Sequence, residues 1–181
     1  MLRVSGYSDV AMDVIDTEAH HVEVTIMMTC LVLVGLLLNA AMSGPSVAYH
    51  NPGNLVKSGS TWVGETERQG RYTAFRSAYY GLRALCIVIL RYEQRHHIDT
   101  LEEFVYRFAP PSENNTDNYI NFLSSELGIG RRQKISLSVV LPSLVKAVIK
   151  FEQGTMPYND AQLLMAIVSA RNYVTFNPQE K

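Results

Sequence analysis

A glutamate at the end of an amphipathic helix is the residue of this 181-residue chain best placed for acid–base chemistry. Apolar side chains recur at helical spacing just before it, at Leu141, Leu144, Val145, Val148 and Ile149. Such spacing predicts one apolar helix face. Glu152 returns to that face, whereas Lys146 and Lys150 take the opposite side and cannot neutralise it.

Burial would give Glu152 the properties of a general acid. A carboxylate on an apolar face is costly unless it is paired, so its pKa should rise. Gly154 and Pro157 end the helix, which places the acid at a helix end facing the interior or a cleft. The alternative is that the last turn frays and Glu152 is a solvated surface residue.

Several segments resemble cell-wall hydrolases. Residues 144–154 look like the helix that carries the catalytic glutamate of lytic transglycosylases and related lysozymes. Four further segments resemble the region after that glutamate in glucosaminidase-type hydrolases: residues 51–55, Trp62 with Gly64, residues 75–77 and residues 81–85. Residues 109–120 resemble a later segment of the same fold. Here the glutamate helix comes last, which suggests a circular permutation. Over residues 50–170 the chain resembles small phage and prophage structural proteins, but Phe151 and Gln153 replace the usual His and Asn.

This resemblance implies that Glu152 protonates a glycosidic oxygen of peptidoglycan. Hydrolases that use two carboxyl groups need a second acid, for which Glu113 is the leading candidate and Glu65 a weaker one; Glu113 could instead cap its helix. Without a second acid the site would resemble that of lytic transglycosylases, which work with one catalytic acid and a hydroxyl group of the substrate. The candidate substrate-binding residues are Asn51, Asn54, Trp62, Asn114, Tyr119 and Tyr158. The asparagines are also turn formers, and the aromatic residues also suit a core.

Metal and nucleotide chemistry have no support in the sequence. His50, His96, His97 and the two cysteines, Cys30 and Cys86, lack metal-ligand spacing, and no phosphate-binding loop occurs. We therefore expect no metal site, no cofactor and no nucleic-acid partner.

The elements predicted around the site are mostly helical. Helices are expected at residues 77–94, from a capping box at Thr100 and Glu103 to Pro110, from 115 or 116 to 127, at 138–152 and at 159–173. Residues 61–63 and 72–75 predict a small β hairpin. The predicted fold is a mostly α, lysozyme-like domain over residues 45–175 with a small β lobe.

The N-terminal region predicts a membrane anchor. We expect residues 1–21 to be an acidic, disordered tail and residues 22–42 to form one transmembrane helix. The alternatives are a secretory signal peptide cleaved near residues 46–48 and a buried core helix. Basic residues after the segment favour a domain on the cytoplasmic side of the membrane, away from the cell wall. A membrane inside the virion would remove this conflict with wall cleavage. The expected location is a virion membrane or the host envelope.

Two functions are consistent with these features. The first is a membrane-anchored, virion-associated glycosidase that cleaves peptidoglycan. The second is a non-catalytic virion protein that keeps the fold for wall binding or for attaching capsid to membrane. Peptidoglycan, lipid membrane and other virion proteins are the expected partners. A lysis protein acting through its apolar segment alone would leave the folded domain unexplained.

Overall fold

Five helices and one two-stranded sheet form the described part of the protein. The computed structural model describes residues 49–59, 61–67, 70–112 and 114–178. The elements in chain order are β1 (Glu65–Thr66), β2 (Ala74–Phe75), α1 (Ala78–His96), α2 (Leu101–Phe108), α3 (Thr116–Leu127), α4 (Leu137–Gln153) and α5 (Asp160–Phe176). The predicted mostly α class with a small β lobe is confirmed for this part of the chain.

The predicted N-terminal tail and membrane segment, residues 1–21 and 22–42, lie outside the described residues. Among the helices that are described, none combines the length and the apolar character needed to cross a bilayer.

Helix α1 forms the centre of the core. Its side chains Leu82, Leu85, Cys86 and Ile89 are fully buried, and it packs mainly against α5 and α4. Between Gly81 and Leu90 the helix carries one charged residue, Arg83, and this apolar stretch has neighbours on most of its surface. It continues to His96, two residues beyond the predicted end, and stops where His97 adopts a left-handed conformation.

Side-chain caps fix where α2 and α3 begin. Thr100 accepts a hydrogen bond from the backbone N–H of Glu103. The Glu103 carboxylate accepts from the N–H of Asp99, so only one half of the predicted capping box is formed. Asn115 caps α3, and Gly128 ends it with a positive φ of 64°. These ends agree with the sequence prediction.

Helix α4 contains a proline whose missing hydrogen bond is replaced from another helix. Pro142 lacks an N–H, so it cannot donate to the carbonyl of Ser138 four residues earlier. The guanidinium of Arg171, on α5, donates to that carbonyl at 2.8 Å. A cation thus satisfies the acceptor that proline leaves open and ties α5 to the start of the glutamate-bearing helix.

The β lobe is smaller than predicted. In the antiparallel pair, Glu65 lies opposite Phe75 and Thr66 opposite Ala74. Residues 61–63 were expected to be strand, but they form a loop and the start of a turn; the backbone N–H of Trp62 is bound by the Glu65 carboxylate at 2.8 Å. Side-chain β propensity is outweighed here by the turn at Gly64, whose φ is 81°.

Candidate functional site

Glu152 joins three segments that are far apart in sequence. Its Oε2 accepts a hydrogen bond from the Asn54 amide at 2.7 Å, and its Oε1 accepts one from the Tyr119 hydroxyl at 2.9 Å. Asn54 belongs to the loop before the β lobe, Tyr119 to α3 and Glu152 to the last turn of α4. The side chain faces the interior, as the helical spacing predicted, and the frayed surface alternative is wrong.

Burial makes Glu152 a weaker acid than an ordinary glutamate. Removal from water raises the pKa of Glu152, and the hydrogen bonds from Asn54 and Tyr119 oppose that rise because they favour the charged form. Burial and the neighbouring carboxylate also raise the pKa of Tyr119 well above its usual value, so the tyrosine stays a hydrogen-bond donor. The group is therefore suited to hold and deliver a proton.

Aromatic packing fixes the orientation of Tyr119. The ring of Phe151 stacks on it with centroids 3.7 Å apart, and the Phe108 ring lies nearly perpendicular to it with centroids 6.4 Å apart. Phe151 occupies the position where the resemblance to small phage and prophage structural proteins implied a histidine. In this protein it holds the donor to Glu152 and supplies no charge of its own.

The loop that carries Asn54 is held by Asn51. The Asn51 amide donates to the carbonyls of Leu55 and Thr73, and its oxygen accepts from the N–H of Leu55, each at 2.9 Å. Asn51 is fully buried. All these hydrogen bonds go to the backbone, and Asn51 is not among the residues that line the Glu152 cleft; its substrate contact stays a prediction. Its observed role is to shape the loop.

Glu152 and Asn54 border a cleft of about 110 Å³. Arg71, Tyr72 and Asn114 also line it, together with apolar residues. Glu152 is the only carboxylate among the described residues that line this cleft. Asn114, one of the predicted substrate-binding residues, therefore lines the same cleft as Glu152.

The other predicted site residues are dispersed. Trp62 lines a neighbouring pocket that shares Asn54 with the cleft. Tyr158 is half-buried, packs against the core and does not line either cavity. The Glu65 carboxylate accepts a hydrogen bond from the backbone N–H of Trp62, and Glu65 is not among the residues that line the cleft. Glu113 lies outside the described residues.

Sequence reasoning did not assign Arg71, Tyr72 or Phe108 to the site, although all three line the cleft. Arg71 and Tyr72 precede β2, and Phe108 ends α2 just before the two prolines. Their types are common in surface loops and helix ends, and no spacing connects them with Glu152. Only the approach of the β lobe to the ends of α2 and α4 brings them together.

The chain has a relative among the phage proteins. No protein-family model matches the chain. It is 32% identical over 114 residues to Protein P5 of Pseudoalteromonas phage PM2, an alignment covering 60% of this chain and 71% of that protein. The predicted relation to phage proteins is thereby confirmed. The predicted relation to lysozymes stays a prediction. The extent of this match shows that the chain belongs to the same family as Protein P5 of phage PM2.

Proposed function

We propose that the protein is a peptidoglycan-cleaving glycosidase of the lytic transglycosylase or muramidase type, with Glu152 as its general acid. The observation that carries the proposal is a half-buried carboxyl group with a raised pKa that borders a polar cleft. Enzymes raise glutamate pKa values by burial to supply a proton near neutral pH.

The contacts of Glu152 suit both halves of such a reaction. The protonated carboxyl gives its proton to the glycosidic oxygen, and the bond from that oxygen to the anomeric carbon breaks. Asn54 and Tyr119 then stabilise the carboxylate that remains, because both donate to it. In the one-acid route a hydroxyl of the same sugar attacks the anomeric carbon and returns its proton to Glu152. This one-acid route corresponds to the lytic transglycosylase form of the proposal.

We further propose that the protein acts in the virion or at the host envelope, anchored through residues 22–42. The family membership supports a phage protein, and the apolar run at residues 24–38, which carries no charged residue, supports the anchor. Peptidoglycan would be its substrate, and lipid membrane and other virion proteins its neighbours.

Mass spectrometry of soluble products from purified peptidoglycan tests the activity. The full chain should release muropeptides, with anhydro ends for a transglycosylase and reducing ends for a hydrolase. Glu152→Gln should abolish release, whereas the matched control Glu126→Gln, which removes a carboxylate paired with Lys150 outside the cleft, should not. Undiminished release by Glu152→Gln would reject the assignment.

A variant of Glu113 separates the two mechanisms. A two-carboxylate hydrolase loses activity in Glu113→Gln, because the water or the glycosyl intermediate needs the second group. A one-acid transglycosylase keeps it. The same product analysis therefore decides between the muramidase and transglycosylase forms of the proposal.

Two observations favour a second candidate, a non-catalytic virion protein with the same fold. Both oxygens of Glu152 are already hydrogen-bonded within the protein, so the carboxyl group also serves as a structural link. In addition, Leu164, Met165 and Val168 form an exposed apolar row on α5. This candidate predicts that Glu152→Gln is incorporated into virions that infect normally. A fall in infectivity with normal incorporation would contradict it.

A further inference from the structure

A second pocket adjoins the Glu152 cleft. It has a volume of about 200 Å³, and its distinctive lining is three aromatic rings: Trp62, Tyr92 and Phe108. The two cavities share four lining residues, Gly53, Asn54, Val56 and Phe108. One wall therefore serves both, and a ligand that reaches Glu152 has an aromatic pocket directly beside it.

Two of these rings, Tyr92 and Phe108, are held in place from behind. Phe108 stacks on Phe104 with centroids 5.4 Å apart, and Tyr92 packs against Phe104 at 6.1 Å. The guanidinium of Arg107 lies 5.1 Å from the centre of the Tyr92 ring. Since Phe104 is fully buried, the wall formed by Tyr92 and Phe108 rests on the core.

The lining selects ligands with apolar surface next to polar groups. Ligand sites are mainly apolar and aromatic, with a few polar groups that fix orientation. A sugar ring presents C–H groups on its faces, and an acetamido substituent adds a methyl group. The polar cleft beside the pocket, with Asn54, Asn114 and Glu152, suits the hydroxyl groups and the glycosidic oxygen.

We propose that the aromatic pocket is a subsite for one N-acetylated amino-sugar unit, adjacent to the bond that Glu152 protonates. The proposal rests on the proposed function, because it assigns the neighbouring sugar of the same glycan strand. Trp62, Tyr92 and Phe108 contact the ring face and the acetyl methyl. The subsite therefore prefers N-acetylated chains over chains of the free amine, which lack the methyl and carry a charge that the aromatic lining must desolvate.

Trp62 provides a direct readout, because it is the only tryptophan of the chain. The full-length Glu152→Gln variant should be titrated with N,N′,N″-triacetylchitotriose while tryptophan emission is recorded. We expect a saturable change in emission. The matching glucosamine trimer should bind at least about tenfold more weakly, since even a single methylene in a fitted pocket changes affinity by about that factor or more.

Substitutions in the lining locate the binding. Tyr92→Leu and Phe108→Leu should each weaken the response several-fold, whereas Tyr106→Leu on the exposed side of α2 should not. Where a lining variant does not fold by circular dichroism, Val88→Phe offers a second approach. Val88 is half-buried and lines the pocket, so a larger side chain fills the space without removing an aromatic contact.

The outcomes separate this proposal from the proposed function. Wall cleavage by the wild-type protein with no Trp62 response, or with equal responses to the two trimers, would overturn the subsite and leave the glycosidase intact. A selective Trp62 response without wall cleavage would support the subsite and overturn the glycosidase. Absence of both would overturn both.

Discussion

The backbone of the loop before the β lobe lies directly on Gly81 of α1. A methyl group at Gly81 would fall far inside van der Waals contact with the carbonyl oxygen of His50 and 2.8 Å from Cδ of Pro52. The same loop presents Asn54 to Glu152. The absence of a side chain at one helix position therefore sets how closely the loop approaches, and hence where the partner of the acid lies.

Gly81→Ala should move this loop and separate Asn54 from Glu152. We expect a loss of about 2–3 kcal/mol in the free energy of unfolding, because the clash is with backbone and cannot be relieved by a rotamer change. Urea denaturation measures it, and wall cleavage should fall in parallel. Gly59→Ala is the control, since a methyl group there meets nothing within 4 Å. Equal stability of the two variants would show that the loop adapts freely.

The stability of Glu152→Gln should depend on pH differently from that of the wild type. Burial raises the pKa of Glu152, so the folded protein binds this proton more tightly than the unfolded chain, whose value is near 4.5. The stability due to the protonated form is complete below that value and is lost as the pH rises through the folded pKa.

Glutamine does not titrate, and it can keep both contacts because the Tyr119 hydroxyl can accept as well as donate. The two proteins should therefore have similar stability at about pH 4, and the variant should be more stable at about pH 8. Urea titrations across this range measure the difference. A difference that is constant with pH would mean that the pKa of Glu152 is not raised.

Removing the Tyr119 hydroxyl should raise the pKa of Glu152 further. Tyr119→Phe deletes a donor that favours the carboxylate, and it leaves Oε1 without this partner. The alkaline limb of the wall-cleavage profile, where a general acid loses its proton, should move to higher pH. A ¹³C NMR titration of the glutamate carboxyls checks the same shift without activity.

We also expect Tyr119→Phe to cost about 1–2 kcal/mol of stability. Tyr106→Phe is the control on an exposed ring of α2. A shift of the alkaline limb to lower pH would show that the hydroxyl does not stabilise the charged form.

Pro142 and Arg171 should be energetically coupled. Arg171→Ala removes the donor to the Ser138 carbonyl and should cost about 1 kcal/mol in the free energy of unfolding. In a Pro142→Ala background the restored N–H can bind that carbonyl, so the cost of losing Arg171 should shrink. A double-mutant cycle in urea measures the coupling. Additive effects would mean that the arginine does not replace the missing helical bond.

The sequence alone predicted the helices and the orientation of the acid. Helical spacing over residues 141–149 placed Glu152 on the buried face, and Thr100, Asn115 and Gly128 fixed the ends of their helices. These features are local, since they depend on residues within a few turns of one another, and local chemistry is readable without the fold.

Only the tertiary structure decided which residues contact Glu152 or line its cleft. Asn51 and Asn54 occur in the same four-residue turn, and the sequence treated them alike. The fold turns the first toward the backbone of the lobe and the second toward Glu152, 98 positions away. Likewise Arg71, Tyr72 and Phe108 join the cleft without any sequence signal. Such partners are set by how the lobe packs on α1 and the ends of α2 and α4, a long-range arrangement that no local pattern encodes.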